Sequence, residues 1–568
     1  MRHRKRSRAF VPAFAALAPA FAALATACGA PTRGFEPIAR DQRVGNDAAA
    51  PGRQGALAAT GSASDATRVT IPSPSADRAL PSVPAEATAV APSALAPTLA
   101  PTPTLTPAPE PALPRLTSQA SYTWIYGRPR ADKRYIGLIR IGTSVALRSV
   151  EMVKGEGCSA GFYQVAPRGF VCSDHTVTLE PSPRFLASAS LIAPSPGPFP
   201  YRYAFSDGAP MYNRVATEAE QRRFEARYGL IGSPLPLPKV LAAHEDLAVR
   251  EAIAPSGKAP SLFEGGALFS EARAGLYYQT LPLGSMVAYT STFTAEGRTW
   301  LVSADQSLVP ADRVRPFRPS TFHGVRLGDD VKLPLAWMRK TPKAKHHRLA
   351  SGDFEKTGET WPLRGFVGLT GASVVAHGRR YLETTESAEG YGPLYIAEWD
   401  ATVAAPLEKL PRGVGPDQKS IVARISDGTL VAYEGRKPVY ATLMSPGAGG
   451  PPMPGQDPVT ASTTPVGTYY VTFKNRATTM SPDMGDGRTF WIADVPHTQY
   501  FNPPFALHAA YWHERFGEPT SAGCINVSPL DAEALFQWSD PQVPAEWQGA
   551  TGAGAPENGA TTAIVVYR

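Results

Sequence analysis

The chain has 568 residues, 56 Lys and Arg against 49 Asp and Glu, a formal charge of +7, and 43% hydrophobic residues. At about 150 residues per domain, that length excludes a single small module and predicts three or four domains. Its 58 prolines outnumber its 50 glycines, which argues against a chain built only of compact enzyme.

Much of the charge sits at the start. Residues 1–27 hold Arg2, Arg4, Lys5, Arg6 and Arg8 with no acid, followed by an alanine-rich apolar stretch. A basic segment before a short apolar one predicts a signal peptide over 1–27. Its removal takes away five positive charges and leaves 51 basic against 49 acidic residues. The charge therefore points to no nucleic-acid partner. No later run reaches the roughly 18 apolar residues of a transmembrane helix. Residues 24–28 read LATAC and resemble a bacterial lipobox, which makes Cys28 the expected lipidation site and the lipid anchor the expected link to a membrane. Cleavage by an ordinary signal peptidase nearby is the alternative. Gly29 after the cysteine resembles the pattern sorted to an outer membrane. The expected location is the cell envelope, as a periplasmic, outer-membrane lipoprotein.

Residues 28–118 are rich in Pro, Ala and Thr, with the run APTLAPTPTLTPAPEPALP at 96–114. Such a composition buries too little apolar area to offset chain entropy and predicts a disordered, extended tether. Strand signals begin at Tyr122 and recur at 135–139 (YIGLI), 161–165 (GFYQV) and 169–172 (GFVC). Residues 119–182 resemble a small bacterial Src-homology-type β-barrel. Cys158 and Cys172 lie 14 positions apart there, a spacing that permits a local disulfide in an oxidising compartment.

Residues 183–265 read as a connecting segment with a short helix over 217–228, where Thr217 and Glu220 form a capping box and Gly229 is the stop. Residues 266–418 read as β-rich accessory modules, because GRTWL at 297–301 and GRRYL at 378–382 recur, each ahead of a second strand-like run. The basic run RKTPKAKHHR at 339–348 reads as a solvated loop. His346 and His347 lack the spacing of metal ligands.

A final domain spans 419–568. It opens with a hairpin signal at 421–433 (IVARISDGTLVAY) around Asp427-Gly428. From Lys419 onward there are nine basic and thirteen acidic residues, a net −4, which again disfavours nucleic acid.

The chemistry concentrates at 507–526, LHAAYWHERFGEPTSAGCIN. A thiol is a strong nucleophile only as thiolate, and a nearby imidazole that takes its proton makes this accessible near neutral pH. A glycine directly before the cysteine allows close backbone approach and can aim amides at a developing oxyanion. From these residues alone three readings stand: acyl transfer by Cys524, an inert core cysteine with a structural His508, or a zinc site of Cys524, His508 and His513.

The same stretch resembles the signature of the L,D-transpeptidase (YkuD-like) family, a His followed 14 to 17 residues later by Ser/Thr-x-Gly-Cys-x-Asn/Arg; here the interval from His508 to Cys524 is sixteen. TPVGTY at 464–469 resembles the family's TPxGxY/F element, MSPG at 444–447 the strand and turn before it, and 421–433 its opening hairpin. The resemblance covers about 419–568. It implies a chain that is mainly β and multidomain, with an L,D-transpeptidase-type β-sandwich catalytic domain behind small β-barrel-like modules.

It further implies that Cys524 is the nucleophile and His508 the general base, with the Ala509 carbonyl holding the other ring nitrogen. Gly523 and Cys524 would offer amides to the oxyanion. Ser521 and Asn526 would shape the turn, Tyr500 would sit near the acyl-donor pocket, and His513 would be structural or substrate-facing. Ala522 departs from the His often found there, which implies altered pocket polarity.

The implied substrates are peptidoglycan stem tetrapeptides, cleaved between an L-diamino acid and D-Ala, with no metal or organic cofactor. A second stem peptide or an acceptor protein would resolve the thioester, and resolution by water would make the protein an L,D-carboxypeptidase. A non-catalytic wall-binding lipoprotein is the alternative from another class. Papain-like and sortase enzymes fit less well, because of their chain order and the Arg that sortases place after the Cys.

Overall fold

A computed structural model describes residues 113–225, 244–260, 276–480 and 490–568. The expected signal peptide, Cys28 and residues 28–112 of the expected tether lie outside the described residues. The end of the tether departs from the expectation, because Arg115–Ser118 is a strand paired with Ser144–Ala146 and Val177–Thr178. The molecule is mainly β, and its described residues form five sheets. Among the described residues no helix is long and apolar enough to cross a membrane.

The C-terminal domain is built from two of these sheets. One is six-stranded, in the order Val325–Arg326, Lys437–Leu443, Thr429–Glu434, Lys419–Arg424, Ala563–Tyr567, Gly467–Tyr470. The expected hairpin pairs Ile421 with Ala432 and Val422 with Val431. The last strand of the chain runs parallel beside it, Ile421 opposite Ile564. Ser420–Ala423, Thr429–Tyr433 and Ala563–Val566 are buried, so these strands carry apolar residues on both faces rather than alternating.

The other sheet has nine strands and begins with Ile525–Val527, Phe505–Ala509, Ile492–Asn502, Phe473–Met480 and Gly549–Thr551. It then continues without a break into Tyr135–Arg140, Tyr122–Tyr126, Phe170–Cys172 and Phe162–Gln164. Gly137 pairs with Ala550 and Leu138 with Gly549, so the N-terminal module extends the catalytic sheet. Cys158 and Cys172 are joined in a disulfide within that module.

The helix Pro529–Trp538 packs on the Ile492–Asn502 and Phe505–Ala509 strands. Ser528 caps its start by accepting the Asp531 amide at 3.0 Å, with Pro529 in the first turn. Its far end is capped by fully buried Lys474, whose Nζ donates to the Phe536 and Ser539 carbonyls at 2.5 and 2.7 Å. Burial pulls the Lys474 pKa down to about 7.

Strands on both sides of residue 265 share one eight-stranded sheet: Arg202–Ser206 and Pro210–Tyr212 pair with strands between Tyr277 and Pro316. The short helix forms at Glu218–Glu225, with Thr217 and Glu220 exchanging hydrogen bonds of 3.0 and 3.3 Å. Gly229 lies outside the described residues. A second helix, Pro183–Leu191, is capped by Ser182.

The basic run differs from the expected solvated loop, because Lys343–Arg348 is a strand. Lys345 bridges Glu359 at 3.4 Å and Glu386 at 3.2 Å, and His346 is buried against Tyr381. The neutralising acids come from other strands of the seven-stranded sheet, so the run looks unbalanced only when read alone.

Candidate active site

The Phe505–Ala509 strand ends the catalytic sheet, and the chain returns to it in parallel as Ile525–Val527. Leu507 pairs with Ile525, His508 with Asn526 and Ala509 with Val527. A parallel return needs a crossover of a dozen or more residues, and the sixteen positions from His508 to Cys524 are that crossover. Register thus sets Cys524 at the entry of the strand beside the histidine. Every residue of the two strands is buried.

His508 is buried, and its Nδ1 lies 2.9 Å from the Ala509 carbonyl. A carbonyl can only accept, so Nδ1 carries the ring proton and Nε2 keeps its lone pair. Desolvation pulls its pKa down to about 4, against a smaller opposing effect of the Ala509 carbonyl. The ring is therefore neutral at pH 7. Trp512 lies 5.9 Å away, centroid to centroid, at a 30° tilt.

Cys524 keeps its thiol, is half-buried, and packs against the core cluster that includes Tyr500, Ala510 and Trp512. Ahead of it, Ser521 Oγ donates to the Cys524 carbonyl at 2.6 Å and accepts the Gly523 amide at 3.0 Å. Ser521 thus ties the turn together. Gly523 has φ of +123°, and a Cβ there would lie 2.4 Å from Cε1 of Phe505, so both conformation and space require glycine. The Gly523 amide, expected to face an oxyanion, is already held by Ser521. Ala522 is exposed on the turn.

Asn526 exchanges backbone hydrogen bonds of 2.8 and 3.0 Å with Ser445, which ties the 444–447 segment to the strand that follows Cys524. Thr464 of the TPVGTY element accepts the Gly447 amide through its hydroxyl at 2.9 Å. His513 is fully buried and neutral, its pKa pulled down to about 3 by desolvation and then by nearby His244 and Arg515.

Nδ1 of His513 accepts the Arg515 amide at 3.2 Å, so Nε2 carries the proton and faces the Asn526 side chain at 3.1 Å. The Asn526 amide satisfies it in the orientation that presents Oδ1, an atom with no other partner. With both nitrogens engaged, His513 is structural and has no lone pair to offer a metal. Among the described residues no group of three His, Cys, Asp or Glu is placed to hold one.

Tyr500 is buried, and its carbonyl accepts the Thr472 amide at 2.7 Å. His244 comes from far away in the chain; its Nδ1 meets the Gly284 carbonyl at 3.0 Å, and its ring lies against Phe490 and Trp512. Nothing local in the sequence around His244 marks it as a neighbour of this site.

Residues 418–553 match the family of the L,D-transpeptidase catalytic domain, YkuD. No curated protein matches the chain. Solved structures that resemble it include the L,D-transpeptidase of Xylanimonas cellulosilytica, 20% identical over 28% of this chain and 63% of that one, with a TM-score of 0.18. The L,D-transpeptidase of Stackebrandtia nassauensis is 21% identical over 27% of this chain and 58% of its own, with a TM-score of 0.18. That of Mycobacterium smegmatis is 16% identical over 36% and 95%, with a TM-score of 0.20. The first two are thus spanned over less than two thirds of their own length.

Proposed function

We propose, on the premise that residues 418–553 form an L,D-transpeptidase catalytic domain, that this protein transfers acyl groups of peptidoglycan stem tetrapeptides through Cys524. The observation that carries the reading is the Nδ1–Ala509 hydrogen bond, which leaves Nε2 of a neutral His508 as a base on the strand paired beside the cysteine's own.

In the first step the Cys524 proton passes to His508 Nε2, and the sulfur attacks the carbonyl joining the L-centre of the diamino acid to D-Ala. The amide C–N bond breaks, the proton returns from His508 to the leaving amine, and D-Ala departs to leave a thioester. In the second step an amine attacks the thioester while His508 accepts its proton; the C–S bond breaks and the thiol is regenerated. Burial keeps His508 neutral, so its Nε2 lone pair is available to take a proton. The Cys524 amide, at the head of the Ser521 turn, is the proposed oxyanion donor. A second stem peptide gives a crosslink, an acceptor protein gives anchoring, and water gives the carboxypeptidase outcome. The proposed setting is the cell envelope, with lipidated Cys28 as membrane anchor and the Pro/Ala/Thr-rich tether ahead of the Arg115–Ser118 strand giving reach to the wall.

Incubation with a disaccharide tetrapeptide, followed by mass analysis, tests this. Release of D-Ala with a dimer, an anchored protein or a tripeptide identifies the acceptor. Absence of both D-Ala and any Cys524 adduct with a carbapenem overturns the reading in favour of a non-catalytic wall-binding protein.

A further inference from the structure

Residues 510–517 leave the His508 strand and lead toward the turn that presents Cys524. Most of this loop is held from outside the catalytic domain. Tyr511 stacks on Tyr203 at 3.7 Å and meets Phe317 at 5.7 Å. The Trp512 carbonyl accepts the Leu247 amide at 3.1 Å. The Glu514 carboxylate accepts Arg318 and Arg364, each at 3.1 Å, and Arg364 also reaches the Glu514 carbonyl. Asp246 grips the Arg515 guanidinium with both oxygens, at 2.5 and 2.6 Å. Phe516 stacks on Phe322 at 5.3 Å. At Gly517, φ +95°, a Cβ would lie 2.3 Å from Cγ of Arg339.

From the gripped loop a short series of contacts leads inward. The Arg515 amide donates to His513 Nδ1, and the other nitrogen of that ring meets the Asn526 side chain. Asn526 stands opposite His508 in the parallel register and two residues beyond Cys524. The Asp246–Arg515 pair is thus joined, through two hydrogen bonds and one backbone step, to the strand pair that sets base against nucleophile.

We propose that Asp246, together with Arg318 and Arg364, are positioning residues for acyl transfer: groups outside the catalytic domain that hold the 510–517 loop and, through it, the relative placement of His508 and Cys524. The inference rests on the acyl-transfer reading above. Magnitudes separate it from a merely structural role. The Asp246 and Arg515 side chains, the pair the test breaks, are 21% and 45% exposed, and an ion pair that reaches water on one side adds little to overall stability. Misplacement of reacting groups by about 1 Å, by contrast, can cost roughly a hundredfold in rate. Loss of the grip should therefore appear in turnover and not in melting.

The test uses the full-length protein. Wild type, Asp246→Ala, Asp246→Glu, Arg515→Ala and the Asp246→Ala/Arg515→Ala double variant are compared by Cys524 acylation with a carbapenem, by kcat and KM for D-Ala release, and by melting temperature. Asp246→Ala is expected to lower the acylation rate and kcat about tenfold, with KM and melting temperature held. Asp246→Glu should restore most of the rate. The double variant should be no worse than either single one, the signature of a shared contact. Wild-type rates in Asp246→Ala, or a loss of rate that only follows a loss of melting temperature, overturn the inference. If the wild type itself is neither acylated nor releases D-Ala, the acyl-transfer reading falls first and the inference falls with it.

Discussion

Two β regions of this molecule carry strands in opposite ways. At the end of the catalytic sheet, Phe505–Ala509 and Ile525–Val527 bury every residue, polar His508 and Asn526 included. In the seven-stranded sheet, the strands Phe354–Trp361, Phe366–Ala376 and Arg379–Ala388 leave much of both faces in water. A buried polar group left without a partner costs about 1–3 kcal/mol, and in the first region partners are built in: Ala509 for His508, Ser521 for Gly523, His513 for Asn526. In the second region charges meet in solvent, as Arg380 of the Arg379–Ala388 strand does with Glu398 of the short helical turn Glu398–Asp400 at 3.7 Å, and each such pair adds little. Sensitivity to substitution should follow that division.

The largest effect belongs to Cys524→Ala, for which D-Ala release and the carbapenem adduct should both vanish by mass spectrometry. His508→Gln should lower kcat by about 10²–10⁴, the range for loss of a general base, with circular dichroism unchanged. Gly523→Ala forces a side chain into the left-handed region and against Phe505. It should lower stability by about 1–3 kcal/mol in denaturant titrations and lower activity with it.

Acid should strike the buried end. His244 and His508 have pKa values near 4 and His513 near 3, each pulled down by burial from 6.5. Between pH 6.5 and about 4 the unfolded chain binds protons that the folded one refuses, so stability falls as pH falls through that window. Chemical denaturation across pH 4–7 measures it. Smallest of all, Val375→Thr and Glu359→Gln on the exposed sheet, 61% and 70% exposed, should change stability by no more than about 0.5 kcal/mol and leave D-Ala release untouched. A marked loss of activity there would break the contrast between the two regions.

The parts legible from sequence were those fixed by local chemistry. The interval from His508 to Cys524 was legible through its resemblance to a family signature, and the structure gives it a physical reason as the length of one parallel crossover. The Thr217–Glu220 box could be read because a helix cap is completed within four residues. The 421–433 hairpin announced itself by Asp-Gly between two apolar runs. Ser182 ahead of Pro183, which caps the helix Pro183–Leu191, is a signal of the same local kind. Other features rest on distant partners. The basic run at 339–348 contributes a strand paired on both sides, and the acids that meet Lys345, Glu359 and Glu386, arrive from other strands. The Gly523 amide is taken by a hydroxyl whose rotamer no motif specifies.

By itself, then, the sequence determined the mainly β character, the catalytic domain over the last quarter of the chain, and the residue types able to perform thiol chemistry. The first and last depend on near neighbours and composition, and the second on motifs that resemble those of a known family. Tertiary structure alone decided that the N-terminal module prolongs the catalytic sheet through Gly137 and Ala550. It also decided that Asp246, Arg318 and Arg364 close on the loop after His508. Those contacts join residues more than a hundred positions apart, and the order in which strands pair, rather than any local preference, brings them together.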